Sequence, residues 1–170
     1  MYCPACGHLN LPGNDACATC ELSLTHIDGP NPHDRLERSL VTDPVSILMP
    51  RPPVTVPVAA PLADAMARMI DLSVGAVLVT DGAGKLVGIL TERDFLLKVA
   101  GQSGFEALPV ARFMTPDPET VTPADTLAFA LGKMDAGGYR HLPVVENGRP
   151  VGVISVRDIL RHVTGLCQDV

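Results

Sequence analysis

The sequence predicts an α+β fold, with two tandem copies of a β-α-β-β-α unit behind a small cysteine-bound module at the N-terminus. Three observations predict it. Four of the five cysteines fall within the first twenty residues, as two Cys-x-x-Cys pairs. From Val45 onward the chain repeats itself, with Val45-Ser46-Ile47-Leu48-Met49 aligning with Val110-Ala111-Arg112-Phe113-Met114 at an offset of 65. Each copy carries a stretch of helical apolar spacing followed by two short apolar runs around a turn.

The N-terminal module, residues 1–24, is defined by Cys3-Pro4-Ala5-Cys6-Gly7 and Cys17-Ala18-Thr19-Cys20. Paired clustering of this kind in a reducing compartment points to metal, with two disulfides or a redox-active pair as the other readings of the same residues. Two residues between thiolates let a tight turn aim both sulfurs at one ion. Two such turns complete a tetrahedral site at Cys3, Cys6, Cys17 and Cys20 suited to Zn²⁺, and four thiolates also suit iron. So short a segment cannot fold on its own apolar content, and metal binding at about 10–16 kcal/mol could supply the missing stability. The segment resembles a short zinc ribbon, including Gly7 after the first pair and the turn Asn10-Leu11-Pro12-Gly13. It departs from that pattern at Glu21, where a second Gly is usual, so a less regular second knuckle is expected. Because four cysteines close the site, His8 and His26 read as surface histidines. No Lys or Arg occurs between Met1 and Leu24, while Asp15 and Glu21 add negative charge to that of the thiolates. A phosphate backbone would be repelled, so the ribbon is expected to be a structural cap or a protein-docking knob.

Residues 25–44 read as a connector. Asp28-Gly29-Pro30-Asn31-Pro32 is turn-forming or irregular, and His33 has no evident partner. A short helix is expected from Asp34 to Val41, where Leu36, Leu40 and Val41 share one face.

Within the repeats, Thr55-Val56 aligns with Thr120-Val121, and the helical stretch Leu62 to Met69 aligns with Leu127 to Met134. Leu62, Met66, Met69 and Ile70 follow helical spacing, as do Leu127, Leu131 and Met134, and the methionines are expected in the core. Ala76 to Val79 and Leu86 to Leu90 flank a Gly-rich turn and suggest a hairpin, matched by Leu142 to Val145 and Val151 to Ile154. The offset drops to 64 after the second hairpin turn, Glu146-Asn147-Gly148-Arg149, which is one residue shorter than its counterpart Asp81 to Lys85. A deletion confined to a turn is what two related structural units tolerate best. Second helices are expected from Glu92 to Val99 and from Val156 to Val163. One such unit has a marginal core, and pairing two lets each bury its sheet against the other.

Composition narrows the function classes. Hydrophobic residues make up 46% of the 170 and aromatics only 4%, with no Trp, so the core must be aliphatic. A formal net charge of -6 argues against non-specific adhesion to nucleic acid or anionic lipid. No apolar run reaches the ~20 residues of a membrane span, and no signal-peptide pattern opens the chain, so a cytoplasmic protein is expected.

The segment Gly88-Ile89-Leu90-Thr91-Glu92-Arg93-Asp94 recurs as Gly152-Val153-Ile154-Ser155-Val156-Arg157-Asp158. Ser or Thr followed three residues later by an acid is a capping-box-like helix start that needs no ligand. Two copies, each at a strand-to-helix junction after a Gly, shift the weight toward a site. On these segments, together with Tyr139-Arg140-His141-Leu142-Pro143-Val144-Val145 and the Thr-Val before each first helix, residues 45–103 and 110–166 resemble a tandem pair of cystathionine-β-synthase-type (CBS) repeats, a Bateman module.

The resemblance implies a pseudo-two-fold pair that binds adenosine-containing ligands in clefts between the repeats, and a homodimer formed through helices. Carried over by position, Ser155 and Asp158 would hold ribose hydroxyls in one cleft, joined by His141, with Val74 and Gly75 lining the base. Thr91 and Asp94 would do the same in the other, with Arg140, Thr122 and Tyr139 nearby. A carboxylate can accept from both hydroxyls of a cis-diol, and the helix start beside it favours an anion. Arg140 and His141 match phosphate-reaching positions, whereas their first-repeat counterparts Gly75 and Ala76 carry no charge, so unequal clefts are expected. Arg140 also reads as a solvated charge or a partner of Asp135.

No P-loop, Gly-x-Ser-x-Gly or HExxH is present, and Cys167 is a lone thiol near the terminus. Arg93 and Arg157 read as exposed or paired. The expected function is a non-enzymatic sensor of an adenine nucleotide, AMP by preference with ADP, ATP or S-adenosylmethionine as further candidates, whose ribbon docks a protein partner. The alternatives are a ribbon-based nucleic-acid or transcription-related factor, and a dimerisation scaffold with empty clefts.

Overall fold

A computed structural model describes residues 2, 3, 5–11, 14–24 and 35–168. The Pro/Gly connector at 28–32, His26, His33, Asp34 and the Pro12-Gly13 end of the ribbon turn lie outside the described residues.

In chain order the elements are α1 (Arg35–Thr42), β1 (Thr55–Pro57), α2 (Leu62–Asp71), β2 (Ala76–Thr80), β3 (Leu86–Thr91), the single turn α3 (Glu92–Asp94), β4 (Thr115–Pro116), α4 (Leu127–Gly137), β5 (His141–Glu146), β6 (Arg149–Ser155) and α5 (Val156–Gln168). Short 3₁₀ turns occupy Val45–Leu48, Phe105–Ala107 and Val110–Arg112, and α3 continues as a π-helical stretch over Phe95–Val99. The repeat unit is therefore complete in the first copy, with two differences from expectation. The second helix of that copy is α for one turn and π thereafter, closed by Ala100 N–H donating to the Phe95 carbonyl at 2.9 Å. In the second copy the opening strand is reduced to one parallel bridge, Val121 to Val144, and the chain before it forms β4, which pairs antiparallel with β3.

The chain divides into two compact units that cut across the repeats. One comprises residues up to Met49, Ala124–Arg140 and Ser155 onward. Here α1 packs on α4 and α5. Thr126 caps α4 by accepting from the Phe129 N–H at 3.2 Å, and Gly138, with φ of 64°, ends it in the left-handed conformation that glycine adopts freely. Leu127, Ala130 and Met134 form the buried face of α4. On α1 the buried residue is Ser39, with Leu36 and Leu40 half-buried, while Val41 is 49% exposed, so of the expected Leu36/Leu40/Val41 face only Val41 turns outward and Ser39 makes a polar contact described below.

The other unit comprises Pro50–Pro123 and His141–Ile154. Its four-stranded sheet runs β1-β2-β3-β4, with β1 parallel to β2 and the remaining pairs antiparallel. Against it lie Leu62, Ala65 and Met69 of α2, packed with Val56, Val77, Val79 and Leu90. Ile70 is exposed, because three buried positions spaced by three and four residues already fill the α2 face. The β5-β6 hairpin turns at Asn147 and Gly148, with φ of 51° and 76°, the left-handed pair that matches strand twist. Val153 of β6 packs against Ala76, Leu78 and Ile89, so apolar residues from both repeats share this core. Met49 departs from the expected core role and is 83% exposed. Among the described residues no helix is long and apolar enough to cross a membrane.

Candidate functional site

The ribbon is two copies of one knuckle. In the first, Cys3 N–H donates to the His8 carbonyl and Gly7 N–H to the Cys3 carbonyl; in the second, Cys17 N–H donates to the Leu22 carbonyl and Glu21 N–H to the Cys17 carbonyl. The distances match, at 2.8 and 2.9 Å in each. The expected irregularity at Glu21 is absent: Glu21 takes φ of 58°, close to the 71° of Gly7, and bears the strain of a side chain in left-handed backbone. Single antiparallel bridges, Tyr2 to Leu9 and Ala16 to Ser23, close the two loops.

This folding brings the four Sγ atoms within 4.8 Å of one another, with Cys3 to Cys20 and Cys6 to Cys17 at 3.5 Å. A tetrahedron of ~2.3 Å metal–sulfur bonds has edges of ~3.8 Å, so the residues fit one four-coordinate ion. Their electrostatics ask for a cation. Burial raises the Cys17 thiol, but the N–H groups of Thr19 and Cys20 and the Asn10 amide outweigh it and bring it down to about 6. The His8 backbone lowers Cys6, yet burial and the three neighbouring sulfurs push it up to about 12. Four adjacent thiolates need a positive charge among them. Asn10, 4% exposed, is the supporting residue that sequence reading missed: its amide donates to the His8 carbonyl and Cys17 Sγ, and its Oδ1 accepts from Ala18 N–H. Only its side-chain bonding, invisible in sequence, separates it from an ordinary turn asparagine. His8 is exposed, as expected of a surface histidine.

The two Gly-x-x-Ser/Thr-x-x-Asp segments sit where a strand enters a helix. The glycines serve packing: a Cβ on Gly88 would lie 2.4 Å from Met114 Sδ, and one on Gly152 2.7 Å from Pro50 Cβ. In both copies the helix start is tied to the residue just before the first strand of the hairpin, Glu92 N–H to the Gly75 carbonyl and Val156 N–H to the Arg140 carbonyl, each at 3.1 Å. In both copies the acid closes back on the cap residue. Asp94 Oδ2 accepts from Thr91 N–H at 2.8 Å and Thr91 Oγ1 at 2.7 Å; Asp158 Oδ2 accepts from Ser155 N–H at 2.8 Å and Ser155 Oγ at 2.6 Å.

The second carboxylate oxygen differs between the copies. Asp94 Oδ1 lies 2.7 Å from Lys98 Nζ and accepts from Thr115 Oγ1 at 3.4 Å. Burial raises the Asp94 carboxyl, but the Lys98 and Thr91 hydrogen bonds outweigh it and hold it below the ordinary carboxylate range. Among the described residues the cation beside Asp158 Oδ1 is Arg161, at 3.6 Å and 71% exposed. The Asp158 side chain is 32% exposed and that of Asp94 10%.

The remaining expected site residues are distributed as follows. His141 and Gly75 meet, with a Gly75 Cβ position 3.3 Å from His141 Nε2 and 3.6 Å from Glu92 Cδ. Val74 is half-buried beside them, whereas Thr122, Tyr139 and Arg140 are exposed. The Tyr139 ring lies across Gly137, where a Cβ would meet it at 1.9 Å. Sequence reading also missed a polar trio. Buried Ser39 donates to Asp43 Oδ2 and lies 2.8 Å from His162 Nε2. It is not a nucleophile–base pair: the serine proton is spent on the carboxylate, so the ring nitrogen must present its own N–H to Oγ.

The model of the CBS domain matches twice, at residues 41–101 and 110–165. The CBS domain-containing protein CBSCBSPB5 of Arabidopsis thaliana is 44% identical over 108 residues, which are 62% of this chain and 20% of that protein. The chain thus spans about a fifth of the length of the plant relatives it matches. The crystal structure of a CBS domain protein from Pyrobaculum aerophilum complexed with AMP is similar at 30% identity and a TM-score of 0.64, covering 72% of this chain and 98% of that one. The CBS domain pair of protein MJ0100, in complex with 5′-methylthioadenosine and S-adenosyl-L-methionine, is similar at 25% identity and a TM-score of 0.65, covering 73% and 98%.

Proposed function

Because the chain belongs to the CBS-domain family, with both repeats matched, we propose that it is a non-enzymatic regulatory protein whose CBS pair takes an adenine nucleotide. The observation that carries this reading is Asp158: a carboxylate at a helix start, oriented by Ser155 through Oδ2, whose Oδ1 accepts no hydrogen bond among the described residues and faces the exposed Arg161 at 3.6 Å. Such an oxygen can accept from a ribose hydroxyl, and two relatives of similar fold are complexed with AMP or with S-adenosylmethionine and methylthioadenosine. AMP is the first candidate, followed by ADP, ATP and S-adenosylmethionine. Arg140 and His141 stand at the phosphate-reaching positions that the resemblance implies, and His141 is the one expected beside Ser155 and Asp158.

The ribbon is read as a Zn²⁺ site, held by Cys3, Cys6, Cys17 and Cys20 in a reducing cytoplasm. When bound, the ion supplies charge balance and folding energy. Exposed Tyr2, Leu9 and Leu11 support its use as a protein-docking surface, and exposed Leu96, Leu97 and Leu160 support a homodimer through the second helices. A ligand acts on such a module by binding one arrangement better than another, typically by about 1–3 kcal/mol of coupling.

Calorimetric titration of the zinc-loaded chain with AMP, ADP, ATP, S-adenosylmethionine and NADH tests the reading. Saturable binding of an adenosine compound, lost in Asp158→Ala, is the expected result. Binding of none would make the CBS pair a dimerisation scaffold.

A further inference from the structure

The two copies of the Ser/Thr-x-x-Asp motif are chemically unequal, and the inequality lies in residues outside the motif. A carboxylate offers about four lone-pair sites and an ammonium three N–H donors. At Asp94 four donors converge: Thr91 N–H, Thr91 Oγ1, Lys98 Nζ and Thr115 Oγ1. The lysine is equally committed, since beyond Asp94 it donates to the Phe113 carbonyl at 2.8 Å and the Met114 carbonyl at 3.3 Å. Neither group has capacity left for a ligand. Asp94 is also 7% exposed, so a diol would have to displace an ion pair from an almost buried carboxylate.

The second copy lacks both closing donors. The residue aligned with Lys98 is His162, which turns to Ser39 and Asp43 of its own unit. The residue aligned with Thr115 is Pro50, which has no side-chain donor. The π-helical stretch that carries Lys98 has no counterpart either, α5 being α-helical from Val156 to Gln168.

We propose that Lys98 occupies the ligand position at Asp94, so that this protein binds one nucleotide per chain, on the Ser155–Asp158 pair. Lys98 is then the residue that sets stoichiometry. This rests on the nucleotide reading above.

The test is calorimetric titration of the full zinc-loaded chain with AMP. Wild type is expected to bind with a stoichiometry of one, Asp158→Asn to weaken that binding at least a hundredfold, and Asp94→Asn to leave it within threefold. Lys98→Met, which keeps the aliphatic stem and removes the charge, is expected to raise the stoichiometry to two, and Lys98→Arg to return it to one. A wild-type stoichiometry of two, or binding lost in Asp94→Asn and kept in Asp158→Asn, overturns the proposal and leaves the nucleotide reading standing. Lys98→Met remaining at one removes the lysine from the role. If Lys98→Met does not fold, the two aspartate variants decide between the sites. No binding of AMP, ADP, ATP or S-adenosylmethionine by wild type or Lys98→Met overturns both readings.

Discussion

Lys98 Nζ stands 2.7 Å from Oδ1 of Asp94, one helical turn along the chain, while the aligned pair His162 and Asp158 make no such contact. A repeat that looks symmetric in its motif is asymmetric in its charge pairing. The consequence for stability has a definite sign. Asp94 is held below the ordinary carboxylate range, so its ionised form favours folding above about pH 4, and that contribution is lost as pH falls through the lowered value. Lys98→Met is expected to destabilise the protein by about 1 kcal/mol at pH 7, the upper end for a partly exposed pair. Thermal melts should show the gap between wild type and variant narrowing below pH 4. A gap that stays constant would mean the lysine acts through its stem.

The left-handed backbone of Glu21 predicts a stabilising substitution. Glu21→Gly removes the side-chain penalty at φ of 58° without touching a cysteine. Zinc affinity by chelator competition should tighten about fivefold, equivalent to about 1 kcal/mol. Gly7→Ala should loosen it by a similar amount, since it places a side chain in the matching position.

Asn10 is expected to behave as a positioning residue of the metal site. Asn10→Ala should weaken zinc affinity about tenfold or more, because it strips an N–H from Cys17 Sγ and frees the Ala18 amide. Cobalt substitution provides the check: a shifted thiolate-to-metal absorption band marks a change at the sulfur, whereas an unchanged band with lower affinity marks a folding effect alone.

The motif glycines should tolerate alanine unequally. In Gly152→Ala the new methyl meets the rigid Pro50 ring carbon at 2.7 Å, and a loss of about 1–3 kcal/mol is expected. In Gly88→Ala it meets the flexible Met114 side chain, so the loss should be smaller. Equal losses in urea melts would show that backbone freedom, not the neighbour, sets the cost.

Ser39→Ala should cost about 1–3 kcal/mol, because it leaves Asp43 and His162 without their shared hydroxyl. Comparing Ser39→Ala with His162→Ala and the double variant would show whether the three act as one network: additive losses would say they do not.

Much of this protein is written in local pattern. The paired cysteines, the 65-residue repeat, the hairpins around Asp81–Lys85 and Asn147-Gly148, and the helix starts at Thr91 and Ser155 depend on spacing and turn chemistry within a few residues of each other. Spacing of that kind survives in a linear string: it predicts a repeated β-α-β-β-α unit behind a four-cysteine module, and the motifs on it carry the resemblance to CBS repeats. What spacing could not carry is the choice among partners far apart in the chain. Whether Asp94 meets a lysine, whether His162 turns to Ser39 across 123 residues, and whether Pro50 or Met114 presses on a motif glycine are decided by which surfaces the packed core brings together. The same applies to α1, where apolar spacing pointed to Val41 and a buried hydrogen bond turned Ser39 inward instead. Hydrophobic periodicity records which face of an element is apolar; the saturation of a buried polar group depends on donors supplied from elsewhere, and only the folded chain supplies them.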